Sequence, residues 1–209
     1  MYSQLFNKLF NFIFYISTKY KIDESHDVSH SMNVIHTSNE IYESELYLDP
    51  DLKKFEKTIY ISALLHDMCD KKYMNENEGI ENIKKYLKND ITDYELKNIL
   101  TIISTMSYST IKKNGFPKLD FNEKVFHVVR EADLLTSYDF DRSMIYDMRV
   151  KGNNFEKSFN NSVDLFNNRV FTYGKDNLFI TDYSKKIYPS LESNAIQRIN
   201  SWKRILKLK

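Results

Sequence analysis

Ala63-Leu64-Leu65-His66-Asp67 ends an apolar run in an imidazole beside a carboxylate. A carboxylate next to such a run is rarely tolerated in a core unless it is paired or binds a metal. Neighbouring helical positions point about 100° apart, yet both side chains can reach one cation lying beside the end of a helix. Two further groups join this pair. His30 shares a face with His26, Val34 and Ile41, at steps of four, four and seven residues. Asp133 closes a run of Val125, Phe126, Val129 and Ala132 at helical spacing. Singly, each has a plain structural explanation: His66 as a satisfied core histidine, Asp67 as a helix-end carboxylate, Asp133 as a loop cap. The ordered set His30, His66, Asp67 and Asp133 points instead to one divalent metal ion. Two imidazoles with two carboxylates suit Mn, Fe, Co, Ni, Zn or Mg, with geometry rather than affinity choosing among them.

Around this set lie three residues with catalytic potential. Asp70 is three residues beyond Asp67 on nearly the same helical face, where it can take a proton from an attacking water or hold that water in line. Lys72 supplies a mobile cation that suits an anionic oxygen. His26, one helical turn before His30, can reach a bound substrate, donate to a leaving oxygen, or brace the first ligand. His36, His127 and Cys69 are assigned no chemistry: Cys69 lacks an evident base partner, and His127 lies about 120° around its helix from Asp133. A single metal is expected, because no histidine occurs between Asp67 and Phe126 to hold a second ion. A zinc-protease reading of His26-Asp27-Val28-Ser29-His30, spaced as in HExxH, fails at Asp27, since the motif needs Glu to reach the zinc-bound water.

Taken in order and spacing, His30 (in HSMNV), His66-Asp67 (in ALLHDM) and Asp133 (in READLL) resemble the signature of the HD-domain metal-dependent phosphohydrolases. Ser25-His26-Asp27 and Asp70-Lys71-Lys72-Tyr73 are similar to the SHD and HDxxDxK segments of its small bacterial, archaeal and viral members. The resemblance spans roughly residues 20 to 145. It implies a compact helical bundle and a substrate that is a nucleotide or another small phosphate ester or anhydride. Many relatives continue the last ligand as Asp-Arg-Leu-Asp, whereas Asp133 is followed here by Leu134, Leu135 and Thr136. That departure motivates the alternative of a catalytically silent nucleotide-binding or regulatory module.

The elements that must position these residues read as helices. The chain has 15 Tyr and 14 Phe but only 4 Gly and 3 Pro among 209 residues, which suits an all-α fold better than a turn-rich sheet. The length fits one domain spanning 1–209, with helices of 146–209 packing on the core. Leu5 to Tyr20 predicts an amphipathic helix on the core, too short and too interrupted by Asn7, Lys8 and Asn11 to span a membrane. A second helix is expected from near Ser25, and a third from an Asp49 cap and Pro50 through Leu52, Phe55, Ile59 and Ala63 to His66. Thr92 to Glu95 and Asp120 to Glu123 read as capping boxes, with a loop over Lys112–Pro117. Phe155, Phe159, Val163, Phe166 and Val170 form an apolar stripe that Gly174 is expected to stop, and Glu192 to Leu208 reads as a helix with a basic end.

Lys plus Arg at 30 against Asp plus Glu at 29 leaves a net charge of +1, with no global field toward nucleic acid polymers or anionic membranes. The lone cysteine rules out an internal disulfide and cysteine-rich zinc modules, as expected in a reducing, cytoplasmic compartment.

Overall fold

A computed structural model describes residues 2–23 and 26–207, and among these every regular element is helical. The arrangement is organised around α3 (Glu56–Leu65), in which every residue from Thr58 to Leu65 is buried. A helix apolar on all sides must lie inside the fold. One side, Ile59, Tyr60 and Ala63, joins a core with α2 (Val28–Leu46), α7 (Glu123–Thr136), α8 (Phe140–Val150), α9 (Phe155–Asn168) and α10 (Asp182–Ile205). The other side, Ile61, Leu64 and Leu65, joins a second cluster with α1 (Tyr2–Tyr20), α4 (Glu76–Leu87) and α5 (Asp93–Thr105). α1 lies on the core as its spacing predicts, burying Leu9, Phe12, Ile13 and Ile16. No helix among the described residues is long and apolar enough to cross a membrane.

Local chemistry sets the boundaries. Thr92 and Glu95 form the expected reciprocal capping box at the start of α5. The second box is different: Asn122 caps α7 by accepting from Lys124 N, while Asp120 turns outward to pair with Lys97. The helix expected from near Ser25 begins at Val28, where Asp27 accepts from Ser29 N, and Ser25 itself lies outside the described residues. His26 therefore precedes α2 rather than sharing its face. The helix opened by Asp49 is split, because Pro50–Phe55 winds as a tight 3-10 turn before α3 begins.

Lys112 to Asn114 belong to α6 (Tyr108–Asn114) rather than to a loop, and Gly115, at φ 74°, provides the stop. The stripe after Phe155 ends as α9 at Asn168, before Val170 enters another 3-10 turn. Gly174 does not stop it; a Cβ there would lie 2.6 Å from the ring of Tyr188, so this glycine permits a close approach. The last helix begins at Asp182, ten residues before Glu192, with Thr181 as its cap; Leu208 and Lys209 lie outside the described residues.

Two buried carboxylates hold the start of α10. Glu131 on α7 accepts from Ile180 N (2.8 Å), Thr181 N (3.1 Å) and Thr181 Oγ1 (2.7 Å). Glu45 on α2 accepts from Asp182 N at 2.8 Å. The unpaired N–H groups of a helix start favour such anions. Through these bonds α10 ties together the two helices that carry His30 and Asp133.

Candidate metal centre

His66 follows the last residue of α3, and its Nδ1–H donates to the Ala63 carbonyl at 2.9 Å. That bond settles the ring orientation and turns Nε2 toward α2 and α7. There it meets His30 Nε2 at 3.2 Å, Asp67 Oδ2 at 3.1 Å and Asp133 Oδ1 at 3.7 Å. His30 Nε2 lies 3.3 Å from Asp133 Oδ1 and 3.5 Å from Asp67 Oδ2. Donors around one ion with bonds of about 2.0 to 2.2 Å are separated by roughly 2.8 to 3.6 Å between neighbours. Four of these five spacings fall within that range, and the fifth, 3.7 Å, lies just above it.

The electrostatics point the same way. Both imidazoles are buried, at 3% exposure for His30 and 7% for His66. Burial disfavours charge on His66, but the Asp67 and Asp133 carboxylates outweigh it and raise this ring to about 9. Burial pushes His30 down to about 4, with Arg142 adding to the effect against a hydrogen bond to Asp133. Burial would raise Asp67, yet His66 holds it well below the usual carboxylate range; the His30 hydrogen bond and His66 do the same for Asp133. Asp67 Oδ2 is buried without a properly directed hydrogen bond. A buried charged oxygen in that state has the character of an unused ligand.

Arg142, from α8, donates to His30 Nδ1. A guanidinium can only donate, so this contact uses the Nδ1 lone pair and leaves the ring proton on Nε2. Ligation through Nε2 requires the proton on Nδ1 instead. The Arg142 contact and a cation on His30 are therefore mutually exclusive.

Beyond Asp67 the chain turns, with Asp70 N donating to Asp67 O at 3.2 Å. Asp70 Oδ1 accepts from Lys72 N at 2.8 Å, and Oδ2 lies 3.4 Å from the Lys72 ammonium. His26 stacks edge-on against Tyr73 and His30. Tyr73 donates its hydroxyl proton to Asp23 and meets His26 Nδ1 at 3.0 Å. His26, Asp67 and Asp70 bring ligand atoms within 4.8 Å of one another, as do His30, His66 and Asp133. His26, which precedes the His-Asp pair in the chain, thus stands beside Asp67 and Asp70 at a second group of ligand atoms.

The four expected ligands and the three expected catalytic residues thus converge, six of them on the wall of one cavity of about 390 Å³, with His66 behind it. The other singled-out residues stay apart. His36 is exposed, and burial pushes the Cys69 thiol up to about 12. His127 is packed against Phe116 and Arg130. Sequence reasoning missed the opposite wall, which lies partly beyond residue 145 and includes Arg142, Tyr146, Arg169 and Tyr173. Arg169 lies over the Tyr108 ring at 4.5 Å, with Nε donating to Tyr173 Oη at 3.1 Å. Neither Arg142 nor Arg169 has a carboxylate partner among the described residues. No motif announces them: Arg142 follows its cap Asp139, and Arg169 ends a stripe that reads as core.

Among known proteins, the chain matches no family model and no curated protein.

Proposed function

We propose that this protein is a metal-dependent phosphohydrolase of the HD-domain type, acting on a small phosphate ester or anhydride, with a nucleotide as the best fit. The observation that carries this reading is the convergence of His30, His66, Asp67 and Asp133, from α2, the end of α3 and α7, at donor spacings of 3.1 to 3.7 Å on one side of a cavity that Lys72, Arg142 and Arg169 also line. Its volume lies within the roughly 300 to 1,000 Å³ common for small-molecule sites. A divalent ion bound by these four residues supplies Lewis acidity and a water of lowered pKa.

The chain's own groups do the rest. Asp70 takes the proton of the attacking water or holds that water in line, at a carboxylate oriented by its bond from Lys72 N. Lys72 and Arg142 meet phosphoryl oxygens, and Arg142 brings to the cavity the guanidinium that many relatives carry where Leu134 stands here. Tyr108 and Tyr146 offer aromatic surface for a base. Burial lowers His26, so at neutral pH it acts as an acceptor or a brace rather than as an acid.

The test is a screen of nucleoside mono-, di- and triphosphates with Mn, Mg, Co, Ni and Zn supplied separately. Turnover with at least one ion, lost on chelation and lowered about 100-fold or more in Asp70→Asn with metal retained, supports the proposal. Nucleotide binding without turnover in any metal supports the silent module instead.

A further inference from the structure

We propose that the Lys72 ammonium occupies the place of a second divalent ion, making the centre one metal plus one built-in organic cation. This rests on the metal-centre reading above and goes beyond it. The place is defined by His26, Asp67 and Asp70, whose ligand atoms gather within 4.8 Å. Asp67 also reaches both imidazoles of the first group, at 3.1 and 3.5 Å, which is where a ligand shared between two ions would sit.

The second group is built rather than incidental. The hydroxyl proton of Tyr73 goes to Asp23, so the bond between Tyr73 and His26 carries the proton of His26 Nδ1 and turns the Nε2 lone pair inward. Asp70 is aimed by its bond from the Lys72 backbone. Into this arrangement comes the Lys72 ammonium, 3.5 Å from His26 Nε2 and 3.4 Å from Asp70 Oδ2.

Charge counting supports the assignment. Asp67, Asp70 and Asp133 bring three negative charges, which one divalent ion and one ammonium cancel. A second divalent ion alongside Lys72 would leave the same group with a surplus of two positive charges. The ammonium attracts phosphoryl oxygens but activates no water, so it supplies the electrostatic half of what a second metal does.

The experiment is metal stoichiometry by elemental analysis after equilibrium dialysis against manganese, with electron paramagnetic resonance as a second readout. Wild type should hold one manganese per chain with an uncoupled signal. Lys72→Met should hold two, exchange-coupled through Asp67, and the double variant Lys72→Met with Asp70→Asn should return to one. Lys72→Gln gives a second route to the same answer, and Lys72→Arg should stay at one. Lys72 is half-exposed on a turn, so these changes leave the core untouched; circular dichroism checks the fold. Two ions in wild type, or one in both Lys72→Met and Lys72→Gln, overturns the inference while leaving the metal centre standing. No metal in wild type overturns the metal-centre reading itself, and this inference with it.

Discussion

Replacing Gly79 by alanine sets two effects of opposite sign against each other. Gly79 lies in the first turns of α4, after the Asn75 cap, with Gly79 N donating to Asn75 O at 3.0 Å. By helix propensity alone, alanine there should stabilise the protein by about 1 kcal/mol. The tertiary structure reverses that sign. A Cβ at 79 would lie 2.7 Å from both Cα and Cβ of Cys69 and 3.0 Å from Met74 Sδ. Carbon atoms pack best at about 3.5 to 4.0 Å, so the chain at Cys69 must retreat by roughly 0.8 Å or more. Overpacking of this kind costs about 1 to 3 kcal/mol, leaving a net loss of up to about 2 kcal/mol after the propensity gain. For a chain of this size, at about 2 to 4 °C per kcal/mol, that corresponds to a fall in Tm of up to roughly 8 °C.

The segment displaced by Gly79→Ala carries Asp70 and Lys72, whereas His66 and Asp67 hang from the end of α3. Turnover should therefore fall more than metal affinity does. Far-UV circular dichroism melts, metal titration and steady-state kinetics on the one variant read all three. A Tm that rises by the propensity increment, with normal turnover, would refute the close approach and the coupling to the site.

Asp67→Ala should weaken metal binding by more than about 100-fold while the protein stays folded, since even outer-shell partners typically contribute 10- to 100-fold; full metal content by elemental analysis would count against the ligand set. Arg142→Met should tighten metal binding by roughly 10- to 100-fold at fixed pH, because it removes a charge-assisted bond of about 1.5 to 3 kcal/mol that holds His30 in the non-ligating tautomer. A competition titration measures this, and an unchanged Kd would mean that the contact does not oppose the cation.

Metal affinity should also climb about tenfold per pH unit through neutrality and level off near pH 9, where His66 no longer carries a proton for the cation to displace. In chelator-treated protein the raised His66 stabilises fully below about 6.5 and loses its contribution as pH rises through 9. The depressed His30 works on the other side, costing stability as pH falls from 6.5 toward 4. Denaturation of the metal-free protein across pH 4 to 10 should therefore peak near pH 6.5, and a monotonic profile would contradict this pair of shifts.

Much of this protein is legible locally. The all-α class, the helix that ends at His66, the capping box at Thr92 and the stripe of Phe159 and Phe166 all depend on side chains within a turn or two of one another, and spacing along the chain captures that range. The ligand candidates are legible for the same reason: a polar group closing an apolar stripe is a local anomaly. α4, α6 and α8 are not, because their short apolar faces become meaningful only against partners distant in sequence.

Only the tertiary structure decided what faces each functional side chain. Arg142 reaches His30 across 112 residues, and Lys72 reaches His26 across 46. The bonds from Glu45 and Glu131 that seat α10 span 137 and 50 residues. Such meetings follow from how helices pack around α3, and a cation and an imidazole far apart in the chain carry no periodic signal of each other. The sequence by itself determined which residues are able to ligate and which helices carry them. Packing decided that the Arg142 guanidinium contacts one candidate ligand, His30, and that the Lys72 ammonium lies beside Asp70 and His26.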